Sequence, residues 1–124
     1  MDTKKIAAIW LDSEKAIIVK NHHDQSAHEF IIVDEILHEK QVGNTSEHAA
    51  NNSEQTTKAK FFKEIDKQLD NTQELYITGP GTIQEELKHF LLDTAQFKNL
   101  PITLGVDQQL SNEAFLSQVK EMYA

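Results

Sequence analysis

Leu75-Tyr-Ile-Thr-Gly-Pro-Gly-Thr-Ile-Gln-Glu-Glu-Leu-Lys-His-Phe-Leu-Leu92 decides how the chain is read. Leu75–Thr78 is a short apolar strand, Gly79-Pro80-Gly81 a turn, and the residues from Thr82 onward an amphipathic helix. Strand, glycine turn and helix in that order make either a phosphate cradle or a tight β-to-α junction, because exposed N–H groups at a helix start attract anions. A P-loop needs G-x-x-x-x-G-K-[ST] and a dinucleotide site needs G-x-G-x-x-G. The turn lacks the lysine and the third glycine, and Pro80 removes an N–H donor. The junction reading is therefore favoured.

Outward from this unit the pattern is that of an α/β domain. Ile6–Leu11 is an apolar strand, Asp12-Ser13-Glu14 a turn, and Ala16–Val19 a second strand, which together predict a β-hairpin. Asn21–Ala27 is a polar turn and Phe30–Val33 a third strand. Ala59, Phe62, Ile65 and Leu69 then recur at helical spacing, with Lys60, Lys63, Glu64 and Lys67 on the opposite side. Thr82 and Glu85 form a capping-box pattern ahead of the buried stripe Ile83, Leu87, Phe90 and Leu91. Pro101–Leu104 is a fifth strand. Ser111 caps a last helix carrying Ala114, Phe115, Val119 and Met122. The order β-β-β-α-β-α-β-α predicts a mixed five-stranded sheet, an antiparallel meander followed by two βα crossovers, with helices on its faces. Ribonuclease-H-like folds share this topology. The 124 residues fit one domain spanning 1–124, with no internal repeat.

Composition narrows the function. There are 20 acidic and 12 basic residues, a net charge of −8, and every basic residue is Lys. Without Arg the chain lacks the planar fork that grips phosphates and guanine edges, which argues against sequence-specific DNA readout. The absence of Cys removes disulfides, thiolate catalysis and Cys-based zinc sites, and fits a reducing compartment. Neither a signal peptide nor a membrane span is legible, so the cytoplasm is expected. Nothing in the sequence asks for a cofactor.

Three constellations could carry chemistry. His22 and His23 with His28 offer imidazoles for Zn²⁺ or Ni²⁺, but adjacent strand residues point to opposite faces, and a solvated turn explains them better. Asp12 with Glu64 or Asp66 could hold the two metal ions of a nuclease. Strand four brings no carboxylate to that set, and Asp12 is equally a hairpin residue. Lys58, Lys60, Lys63 and Lys67 make a basic stripe on the first helix, the best candidate anion-contacting surface. No G-x-S-x-G nucleophile motif occurs. The segment His38–Thr56 is a long polar connection whose composition favours mobility, unless part of it extends the first helix backwards.

Taken together, the Ile6–Val19 hairpin, the polar loop, the Lys-rich helix Lys58–Leu69 and the Leu75–Leu91 unit resemble the central domain of class-1 peptide-chain release factors and Pelota-type ribosome-rescue factors. Free-standing bacterial relatives of that domain are the nearest comparison. The resemblance covers roughly residues 5–123. It implies a partner on the ribosome or among translation proteins, reached through the loop that carries Gly43, Asn44 and Gln55. Release factors keep a Gly-Gly-Gln tripeptide in that loop. This sequence has Gly43-Asn44-Thr45 and Ser53-Glu54-Gln55 instead, so peptidyl-tRNA hydrolysis does not carry over. The expectation is a non-enzymatic ribosome-associated binding module; the alternatives are a metal-dependent nuclease or a self-associating, homo-oligomeric scaffold.

Overall fold

A computed structural model of the chain describes residues 4–22, 29–38 and 58–123. Five strands, β1 (Ile6–Leu11), β2 (Lys15–Lys20), β3 (Ile31–Leu37), β4 (Glu74–Thr78) and β5 (Ile102–Leu104), form one sheet in the order β3-β2-β1-β4-β5. The β1–β2 and β2–β3 pairs are antiparallel, whereas β1–β4 and β4–β5 are parallel. Among the described residues there are three helices: α1, helical over 58–67, α2 (Ile83–Leu92) and α3 (Asn112–Met122). The predicted order and the mixed topology are both found.

The unbroken apolar run of β1 is explained by burial on both of its faces, which removes the usual alternation. Ala7, Ile9 and Leu11 pack under α1 and α2 with Phe61, Phe62, Ile65, Leu69, Leu87 and Leu91. Ala8 and Trp10 face the other way, toward Tyr76 of β4 and toward Phe115 and Val119 of α3. An aromatic file runs through the first layer, with Phe61 and Phe62 centroids 6.0 Å apart and Phe62 and Phe90 centroids 5.5 Å apart.

Three local expectations need correction. Strand three does not stop at Val33 but continues through Asp34 and Glu35 to Leu37. As an edge strand it tolerates charge: Gln68 Nε2 donates to Asp34 Oδ2 at 3.1 Å, and Lys15 Nζ lies 3.5 Å from Glu35. A bulge accompanies this. Ile18 pairs with Asp34 but Val19 with Ile32, so Val33 is the extra residue, and the Glu35 N–H is taken by Asp34 Oδ1 at 2.8 Å. The capping box does not form either. Thr82 makes no side-chain cap bond because its backbone (φ −106°, ψ −3°) is near-helical, not extended. Ser111, at φ −70° and ψ 161°, does cap α3, accepting from Ala114 N at 3.1 Å. Finally, Ala114 and Met122 are exposed, so the buried stripe of α3 reduces to Phe115 and Val119.

At the opposite end of the sheet, Lys20 is 8% exposed and its Nζ donates to the carbonyl of Gln68, just past α1, at 2.6 Å. Burial pushes the Lys20 amine below its ordinary range, and Asp70 partly restores it. No helix among the described residues is long and apolar enough to cross a membrane.

Candidate functional site

Open α/β sheets bind ligands beyond the carboxyl ends of their parallel strands, here the ends of β1, β4 and β5. The glycine turn after β4 begins that region. Gly79 is buried against β1: a Cβ built on it would stand 2.2 Å from the Leu11 carbonyl oxygen, whereas one on Gly81 would meet nothing within 4 Å. Gln84 enters from the first turn of α2 at 2% exposure. Its Nε2 donates to the carbonyls of Gly79 at 2.9 Å and Gly105 at 3.1 Å, while Oε1 is buried without a hydrogen-bond partner.

The chain beyond β5 crosses the same end. Gly105 N donates to Ile77 O at 2.8 Å and Asp107 N to Gly79 O at 2.9 Å, extending the parallel ladder past the last strand residue. Asp107 Oδ2 then accepts from Thr78 Oγ1 at 2.7 Å, Gln118 Nε2 at 3.0 Å and the Tyr76 hydroxyl at 3.4 Å. Trp10 Nε1 donates to the carbonyls of Gln108 at 3.2 Å and Asp107 at 3.4 Å. Burial raises the Tyr76 phenol, a bond from Thr78 works against that, and the Asp107 charge adds to it. Three neutral donors on one carboxylate oxygen clasp β4, the post-β5 segment and α3 together. In Asp107→Ala, Thr78, fully buried, loses its acceptor; we expect a loss of about 2 kcal/mol in urea unfolding. A loss below about 0.5 kcal/mol would show that the clasp is not structural.

The residues singled out from sequence fall in several places. Asp12 Oδ1 accepts the N–H groups of Glu14 at 2.8 Å and Lys15 at 2.9 Å, an Asx turn that shapes the β1–β2 hairpin. Glu64 lies 3.3 Å from Lys67 on α1. Asp66, also on α1, has its carboxyl raised by burial and then by Asp70. Among the described residues no three His, Asp or Glu side chains converge as a metal-holding group. Lys58 pairs with Glu86 of α2 at 2.8 Å, and Lys60 also has a partner, so the lysine stripe is partly neutralised within the domain. Lys63 is exposed. His22 Nε2 sits 3.3 Å from Thr72 Oγ1. His23, His28, Gly43, Asn44 and Gln55 lie outside the described residues.

Two features were not anticipated from sequence. Asp107 reaches Thr78 through a long-range contact that no motif announces. His38, at the end of β3, lies parallel to the Phe61 ring of α1 with centroids 4.8 Å apart and 7° between planes. It also meets the hairpin, its backbone N–H donating to Glu14 O and its Nδ1 to Ser13 O, each at 2.8 Å. The point where the chain leaves the sheet for residues 39–57 is thus fastened to two other elements.

Comparison with protein-family models and with curated proteins gave no match. Solved structures do share the fold. Pelota of Archaeoglobus fulgidus is 14% identical with a TM-score of 0.59, over 97% of this chain and 32% of that one. An archaeal translation termination factor, aRF1, is 15% identical at a TM-score of 0.57, over 96% and 35%. Archaeal Pelota in a ribosome-bound assembly is 16% identical at 0.56, over 94% and 33%. The chain therefore spans about a third of the length of these proteins, and at such identities the likeness establishes a shared fold.

Proposed function

We propose that this chain is a translation-associated binding module that engages the ribosome or a protein bound to it. The observation carrying this reading is the fold match: over nine-tenths of the chain superposes on a third of Pelota and aRF1, and one of those Pelota structures is ribosome-bound. The module works by docking rather than by peptidyl-tRNA hydrolysis, since the sequence contains no Gly-Gly-Gln. Contact is made through the connection holding Gly43, Asn44 and Gln55 and the adjoining face of α1 with Lys58, Lys60, Lys63 and Lys67. The pairing of Lys58 with Glu86 and of Lys67 with Glu64, together with the lack of Arg, favours a protein surface over the phosphate backbone as the first contact.

Sucrose-gradient sedimentation of lysate at low salt tests this. We expect the protein in ribosomal fractions, shifting to the top when residues 43–55 are replaced by a Gly/Ser linker of equal length. A protein that stays at the top in every growth phase defeats the proposal. Light scattering on the purified chain separates a self-associating scaffold from a monomeric module.

A further inference from the structure

We propose that His38 is a proton-sensitive pin that holds the end of β3 to the β1–β2 hairpin and to α1 while its ring is neutral, and releases it on protonation.

The hairpin prepares the seat. Asp12 Oδ1 occupies the N–H groups of Glu14 and Lys15, which fixes the turn, and the carbonyls of Ser13 and Glu14 serve as the two acceptors for His38. A carbonyl can only accept, so Nδ1 carries the hydrogen given to Ser13, and the neutral ring then leaves Nε2 without one. That nitrogen is buried and has no hydrogen-bond partner. The flat contact with Phe61, itself 3% exposed, covers the ring from the helix side.

Protonation would add an N–H at Nε2, a charged donor that loses its water and finds no acceptor among the described residues. The charged side chains on the surrounding elements are Asp12, Glu14 and Lys15 on the hairpin, Asp34 and Glu35 on β3, and Lys58, Lys60, Lys63, Glu64, Asp66 and Lys67 on α1. None of them bonds Nε2. Asp12 is spent on its turn, Lys15 lies beside Glu35, and Lys58 and Lys67 pair with Glu86 and Glu64. The Phe61 face attracts a cation, but a benzene ring replaces a lost charge-assisted hydrogen bond only in part. The cation is better served in water, which requires the ring to leave the seat. Because the seat joins three elements, leaving it frees the His38 N–H from Glu14 as well.

Amide hydrogen exchange reads this directly. At pH 8.0 and pH 5.6, above the sequence pI of about 5.1 and on either side of the ordinary imidazole range, the exchange rate of the His38 amide is corrected for intrinsic pH dependence. We expect protection to fall by about tenfold at the lower pH, together with a weakening of the nuclear Overhauser contact between the His38 and Phe61 rings. The His38→Phe variant keeps an aromatic ring on Phe61 without a titratable nitrogen, and its protection should change less than about twofold. Unchanged protection and an intact ring contact in the wild type at pH 5.6 overturn the proposal. So does an equal fall in His38→Phe, which would assign the effect to the neighbouring carboxylates. The wild-type measurement stands alone if the variant does not fold.

Discussion

Gly79→Ala is expected to lower the unfolding free energy by about 3 kcal/mol, a drop of about 10 °C in midpoint for a domain of this size. The cause is space rather than backbone freedom: the added methyl would lie 2.2 Å from the Leu11 carbonyl oxygen and 3.0 Å from Gln84 Oε1. A carbonyl at the end of a central strand cannot swing aside as a flexible side chain would. Relief therefore needs β4 to move away from β1, disturbing the Trp10–Thr78 register at the same point. Gly81→Ala is the internal control. No atom lies within 4 Å of its Cβ position, so its effect should stay within about 1 kcal/mol of zero, on the favourable side if anything. Urea unfolding followed by circular dichroism checks both, and equal effects at the two positions would refute the close-packing account.

The second large effect is expected at Trp10. Its side chain is fully buried between β1 and α3, and it is the largest such group in the domain. Trp10→Ala should cost about 4 kcal/mol, from lost apolar burial and the cavity left behind. Trp10→Phe keeps most of the volume but removes the indole N–H from the carbonyls of Asp107 and Gln108, and should cost about 1 kcal/mol. Circular dichroism must report unfolding here, because the fluorophore is removed. If Trp10→Ala cost no more than Trp10→Phe, the packing attributed to Trp10 would be wrong and only its hydrogen bonds would count.

Much of the fold was legible because the deciding signals are local. The apolar run of β1, the Asp12 turn, the Gly79–Gly81 junction and the Ser111 cap each act within a few residues, and all four stand where the pattern put them. Reading failed where a distant neighbour decides. Asp34 and Glu35 look like a strand terminator, yet an edge position with Lys15 and Gln68 beside it accommodates both. Thr82 and Glu85 have the spacing of a capping box, but the tight exit from Gly79 leaves Thr82 in a near-helical backbone that cannot present its hydroxyl as a cap. Phe61, adjacent to the predicted Phe62, is buried as well because it joins the core under α1 and its ring stacks on His38 at the end of β3. The candidate site was less legible still. Asp107 is drawn to Thr78 by the ladder that continues past β5, and His38 to the hairpin by two carbonyls 24 and 25 positions earlier in the chain.

The bond from Lys20 to the Gln68 carbonyl has a consequence for how the domain opens. Helix ends ordinarily fray independently of the sheet they cover. Here the carbonyl just past α1 is held by an ammonium rooted in β2, and withdrawing it would strand a buried cation without its acceptor. The end of α1 is thereby placed in the same cooperative unit as the central strands. Its amides should exchange with the slowest class in the protein.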